Sequence, residues 1–128
     1  MKKLITLLLF SLILISGCSS SEVPDEVQDV GSDWLEHLYL SFTEGEDHSL
    51  IPGMEFEGTV MDHMSYKHEQ EEEVSDYFWE IYTSTPSLQA SSSELFRNDN
   101  PDYVFEFIED FNHMSELLEL EKEYYIED

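Results

Sequence analysis

An apolar run of twelve residues, Leu4 to Ile15, follows Met1-Lys2-Lys3, and beyond it apolar residues recur only in stripes. Trp34, Leu35, Leu38 and Phe42 keep the three-to-four spacing of one buried helical face. Ser32 or Asp33 can cap that helix and Gly45 can stop it. Glu46 to Gly53 reads as a loop closed by Pro52-Gly53. The next stretch fits two periods, because Met54, Phe56 and Val60 suit a strand while Val60, Met61 and Met64 suit a helical turn. Helix is favoured from Gly58 onward. After the polar run His68 to Glu73, Val74, Tyr77, Phe78, Ile81 and Tyr82 return at helical spacing, behind carboxylates that suit a helix N-terminus. Thr83 to Ser93, with Pro86 and a serine cluster, reads as a loop. Asn100 then caps, Pro101 takes the first helical position, and Val104, Phe107, Ile108, Phe111, Met114, Leu118 and Tyr125 form one long stripe. That stripe predicts a helix to Tyr125 followed by a frayed acidic tail.

Four amphipathic segments without a hairpin signal predict a mainly α fold, a small antiparallel helical bundle. The alternative is a small α+β domain, since Tyr77 to Tyr82 and Tyr103 to Ile108 are aromatic enough to be strands. Helix is preferred because the spacing in residues 101–125 continues well beyond the five or six residues, roughly, of an ordinary strand. No internal repeat of domain size is visible.

The leading apolar run is too short to span a bilayer, which takes about 20 residues. A charged start, a short apolar segment and a small-residue cleavage site read as a secretory signal. Within it, Ile15-Ser16-Gly17-Cys18 resembles the lipobox of bacterial lipoproteins. The resemblance implies cleavage between Gly17 and Cys18, with a diacylglycerol thioether on Cys18, which becomes the new N-terminus. Two or more acyl chains, at about 0.8 kcal/mol per buried methylene, suffice for stable attachment. The expected location is therefore the cell membrane, lipid-anchored on its extracytoplasmic side. Ser19 is compatible with outer-membrane delivery in a cell with two membranes. Cys18 is the only cysteine, so no intramolecular disulfide forms. The domain reading is a signal peptide at 1–17, a lipidated cysteine with a flexible acidic tether at 18–32, broken by Pro24 and Gly31, and a single domain at 33–128. Leu9 to Gly17 also resembles the short hydrophobic sex-pheromone peptides that enterococci release from lipoprotein signals, a likeness that concerns only the discarded segment.

Charge changes the picture most. All 30 acids lie after Gly17, against only Lys67, Arg97 and Lys122, so the mature chain carries a net −27. Such a field repels phosphate backbones and anionic headgroups, which excludes nucleic acid as a partner and leaves the lipid to hold the membrane. The composition is similar to that of proteins from halophilic or alkaliphilic bacteria, with an acidic lineage of ordinary habitat as the alternative.

No Gly-x-Ser-x-Gly elbow, phosphate-cradling glycine loop or His-Glu-x-x-His helix is present. A lipidated Cys18 offers no thiol nucleophile. With so many acids, carboxylate pairs carry no information about acid-base catalysis. The expectation is a non-catalytic binding module that needs no cofactor. An exported metal-binding protein is the alternative. Met61, Met64 and His68 fall at i, i+3 and i+7, a soft stripe suited to monovalent copper. Glu109, His113 and Glu116, at i, i+4 and i+7, suit zinc. The strings Asp62-His63-Met64-Ser65 and Asn112-His113-Met114-Ser115 resemble each other, but adjacent helical residues point about 100° apart, so each His-Met pair splits across faces. Asn98 to Asp102 has oxygens for calcium yet lacks the glycine and terminal glutamate of an EF-hand, and a turn plus helix cap explains it. Weak, diffuse condensation of divalent cations is the expected metal behaviour. Trp34, Trp79 and the many Tyr and Phe exceed what a minimal core needs, which points to a protein partner.

Self-repulsion on this scale weakens as salt shortens the screening length from about 30 Å at 0.01 M to about 3 Å at 1 M. The melting temperature of the mature protein is therefore expected to rise steadily with sodium chloride across that range, as followed by circular dichroism.

Overall fold

A computed structural model describes residues 23–127. The signal peptide, Cys18 and the first residues of the expected tether lie outside the described residues. The described residues are mainly α, a small bundle of four helices: α1 (Asp25–Glu44), α2 (Leu50–Glu69), α3 (Asp76–Ser92) and α4 (Val104–Leu117). A π-helical turn (Ser93–Arg97) and a 3-10 turn (Pro101–Tyr103) join α3 to α4. No strand occurs among the described residues, and none of their helices is long and apolar enough to cross a membrane.

Neighbouring helices run antiparallel. On α1 and α2, Gly31 faces Phe56 while Trp34 faces Gly53. Across α2 and α3, Gln89 Nε2 donates to Glu57 Oε2 at 3.0 Å, and His63 stacks on Phe78 with ring centroids 4.3 Å apart. Across α3 and α4, the Tyr77 hydroxyl donates to the Leu117 carbonyl while Ser91 donates to Asp110 Oδ2 at 2.8 Å. The core between them is aromatic, with Trp34, Phe56, Phe78, Phe107 and Phe111 all fully buried. Trp34 lies 5.0 Å from Phe56, and Phe107 is ringed by Phe42, Phe96 and Phe111 at 5.0 to 5.8 Å.

Several expected boundaries move, each for a packing reason. Helix α1 begins at Asp25, so residues 25–32 are its first two turns and not tether. Pro24 does not break it, because proline just outside a helix costs no internal hydrogen bond, and its carbonyl accepts from the Gln28 N–H at 3.0 Å. Gly31 is a contact point: an added Cβ would lie 2.5 Å from Leu118 Cδ1 and 2.9 Å from Phe56 Cε1. Gly45 ends α1 as expected, at φ 81, its N–H on the Ser41 carbonyl.

Helix α2 starts at Leu50, within the expected loop. Pro52 is tolerated in the first turn, where backbone N–H groups have no helical acceptor. Gly53, Phe56 and Val60 are buried at helical spacing, which settles the ambiguous stretch. Helix α3 runs straight through the expected loop at 83–93. An internal proline costs about 3 kcal/mol, whereas burying Ile81 and Leu88 together is worth about 3–6 kcal/mol, so packing wins. Thr85 and Ser92 return their hydroxyls to carbonyls three or four residues back and Ser91 gives its own to Asp110, so the small polar cluster is satisfied inside a helix. The α+β alternative fails because Phe78 and Ile81, and Phe107 and Ile108, bury with helical and not alternating spacing.

The last helix is shorter than expected. Asn100 caps the entry by accepting from the Asp102 N–H at 3.2 Å, with Pro101 at the first position. Helix α4 stops at Leu117, Glu119 adopts a left-handed φ of 61, and Leu120 N–H bonds the Ser115 carbonyl at 2.8 Å. Tyr125 is off the helix and exposed, and the acidic tail is pinned and not frayed.

Two glycines of α2 test the packing. At Gly53 an added Cβ would lie 2.8 Å from Nε1 of the buried Trp34, whereas at Gly58 it would meet nothing within 4 Å. Gly53→Ala is expected to lose stability, an overpacking cost of about 1–3 kcal/mol outweighing the better helix former. Gly58→Ala should gain about 0.5–1 kcal/mol. Urea unfolding of the two variants reads the opposite signs.

Candidate functional site

The outer face of α4 carries Phe105, Ile108, Glu109, Asn112, His113 and Glu116 at helical spacing. After the helix stops, the chain turns back so that Glu121, Tyr125 and Ile126 lie against the same face. Between helix and tail is a groove of about 790 Å³ lined by these nine residues. A side-chain clamp holds its second wall. Asn112 Nδ2 donates to the Ile126 carbonyl and the Ile126 N–H donates to Asn112 Oδ1, both at 2.9 Å, while the Ser115 hydroxyl donates to the Tyr124 carbonyl. Leu118, Leu120 and Ile126 bury as the apolar anchors of the tail.

The lining of the groove is both aromatic and acidic. Phe105 is 69 % exposed and Tyr125 59 % exposed, so two large rings stand in solvent beside it. Glu109, Glu116 and Glu121 line it, and none of the three forms an ion pair among the described residues. His113 Nε2 turns across to Glu80 Oε1 of α3 at 3.1 Å. On the side of α4 that meets α3, burial pushes the Asp110 carboxyl above its usual range and the neighbouring Glu109 charge adds to this, opposed by the Ser91 hydrogen bond and His113. The lining includes no Ser, Thr, Cys or Lys, so the groove presents contact surface and charge without a nucleophile of those kinds.

The sequence-predicted zinc ligands Glu109, His113 and Glu116 all reach the groove, but they do not converge. Among the described residues no three His, Cys, Asp or Glu come close enough to hold a metal ion. The imidazole of His113 instead lies against the carboxylate of Glu80 on the adjacent helix. Met61, Met64 and His68 lie on α2 as expected, in three different surroundings. Met64 packs against the core, Met61 lines a cleft of about 410 Å³ with Tyr82 and Pro86, and His68 is exposed in the last turn. In the related strings, Met114 is core and Asn112 and Ser115 hold the tail, whereas His63 lies on the Phe78 ring. Burial first, and then Lys67, pushes His63 below its ordinary pKa. Asn98 to Asp102 is the turn and cap expected, with Asn98 Nδ2 on Glu94 Oε1 at 3.1 Å. Of the two tryptophans, Trp34 is core and Trp79 stands partly in solvent against Tyr82.

Phe105, Asn112, Glu121 and Tyr125 were not singled out as binding residues in the sequence. Phe105 carried a signal, a large aromatic off the apolar stripe of its own helix. Asn112 carried none, because its partner is the backbone of a tail that the stripe appeared to continue as helix.

No protein family model, curated protein or solved structure matches this chain.

Removing the clamp exposes its role. Asn112→Ala deletes both hydrogen bonds to Ile126 and is expected to cost about 1–3 kcal/mol. Amide exchange in residues 118–127 should accelerate well beyond that in α1 and α2, which identifies the tail as the segment released.

Proposed function

We propose that this protein is a membrane-anchored extracytoplasmic lipoprotein whose domain is a non-catalytic binding module for a protein partner. The observation that carries the binding role is the groove between α4 and the tail, where Phe105 and Tyr125 remain exposed in a chain that buries five other large aromatics completely. Exposed aromatic anchors beside a concave surface are what protein interfaces use. The string Ile15-Ser16-Gly17-Cys18, behind a charged start and a short apolar run, supports the anchor. The net charge of −27 supports a lipid tether over electrostatic adhesion to headgroups, and it argues against nucleic acid as the partner.

The anchor is tested by Cys18→Ala. Native protein should fractionate with membranes and give a mature mass that begins at an acylated Cys18, and the variant should lose that modification and its membrane fraction. Mass spectrometry finding Met1 in place, or a free thiol on Cys18, overturns the anchored reading.

A further inference from the structure

We infer that the groove takes an amphipathic segment of a partner protein that carries lysine or arginine, a conclusion that rests on the binding role proposed above. Charge decides the sign of the occupant. Glu109, Glu116 and Glu121 project along one groove with no cation of this chain paired to them among the described residues, and a second carboxylate-rich surface is repelled from them. The chain has little to supply of its own. Of the three cations after Gly17, Lys67 is held by Glu72 at 2.8 Å and Arg97 by Asp47 at 3.2 Å, which leaves a single exposed lysine, Lys122, flanked by Glu121 and Glu123. A second copy of this chain is therefore a poor occupant, and the neutralising charge must come from a different molecule.

The walls decide its shape and chemistry. Phe105, Ile108, Tyr125 and Ile126 give the groove an apolar lining beside the carboxylates. Apolar residues of an amphipathic segment match those side chains, and the methylene stems of lysine or arginine lie on apolar surface with their heads toward the acids. The rings of Phe105 and Tyr125 attract a cation at their faces. From Phe105 to Glu116 the helix advances about 16 Å, which spans about five residues of extended chain or three helical turns. A small cation satisfies the carboxylates but leaves both rings bare, and among the described residues Glu109, His113 and Glu116 do not come together as a metal ion needs. The surrounding field steers a basic segment inward and makes its capture salt-sensitive.

The test uses mature protein purified from its host membranes in a nonionic detergent, with a synthetic peptide of alternating leucine and lysine, about eight residues long, as the probe. Affinity is measured by calorimetry at low and physiological salt. Two groove variants, Phe105→Ala/Tyr125→Ala and Glu109→Gln/Glu116→Gln/Glu121→Gln, are compared with Glu26→Gln/Asp29→Asn/Glu36→Gln, which removes three exposed acids of α1. Each groove variant should weaken binding about tenfold or more, a loss of about 1.4 kcal/mol, and the α1 variant less than about twofold. A leucine–serine peptide should bind weakly to all of them. Melting curves show whether each variant is folded, and the side chains replaced are exposed, so their loss leaves the core intact. Equal weakening by both acid-removing variants means diffuse charge and overturns the inference, as does binding indifferent to Phe105 and Tyr125. Equal affinity for the leucine–serine peptide also overturns it. A native partner that needs Phe105 and Tyr125 but presents no basic segment sinks this inference and leaves the binding role standing. If neither the peptide nor any envelope protein depends on those rings, both readings fall together.

Discussion

Self-repulsion among thirty carboxylates is the constraint under which the rest of the molecule operates. Few charges are available to relieve it. The ion pairs Lys67–Glu72 and Arg97–Asp47 involve partly exposed groups, and such pairs contribute about 0–1 kcal/mol each. Cohesion must come from apolar burial, and the core is correspondingly aromatic: five large rings and eight aliphatic or sulfur side chains are shut off from water completely or nearly so. The helix ends are used as well. Asp25, Glu26 and Asp76 occupy first turns, where the macrodipole favours a negative charge, and α2 closes on Lys67 and His68. Asp47 shows the same economy at one carboxylate. Burial alone would raise its pKa, yet the Ser49 N–H and hydroxyl, with Arg97, hold it below the ordinary value and join the α1–α2 turn to the end of α3.

The groove follows from how α4 ends. Had the helix continued to Tyr125, the outer face with Phe105, Glu109 and Glu116 would be a flat acidic surface. Leu118 instead turns into the bundle against Gly31, and Gln28 Nε2 bonds its carbonyl at 3.0 Å, so the chain is committed to the core at that point. The left-handed Glu119 then reverses its direction, and Asn112 fixes where it returns. One interior contact between the first helix and the last thus creates a concave surface on the opposite side of α4. Stability and binding surface share a cause here.

Where local chemistry decided an element, the sequence announced it. Gly45 stops α1, the Asn100-Pro101 pair opens the last helix, and the stripe from Val104 to Met114 is the core face of α4. Where a distant residue decided, it did not. Gly31 looked like a tether residue because Phe56 and Leu118, which need its missing Cβ, are far away in the chain. Pro86 and Ser91 looked like a loop because the burial of Ile81 and Leu88 and the carboxylate of Asp110 are tertiary facts. The stripe also extends too far, since Leu118 is its last member in helical register and Tyr125 fits the period by coincidence after the backbone has turned at Glu119. The site was half legible for the same reason. Glu109, His113 and Glu116 were found together by spacing on one helix, whereas Tyr125, Glu121 and the clamp depend on a reversal that no periodicity encodes.

The early start of α1 has a consequence for how the groove meets its surroundings. If Cys18 is acylated as proposed, only the stretch between it and Val23 separates lipid from folded domain, which spans about 18 Å at full extension. The bundle end nearest the bilayer is then the one where Val23 and Pro24 meet Lys67, Glu73 and Val74. That end carries Glu69, Glu71, Glu72 and Glu73, whose repulsion from anionic headgroups acts over a screening length of about 8 Å. Phe105 lies near the opposite end, beyond the turn that Arg97 and Asp47 hold, while Leu118, bonded by Gln28 of the first helix, marks the other end of α4. The groove therefore runs along the side of the bundle and opens laterally, between the end that Arg97 and Asp47 hold and the end where Gln28 holds Leu118.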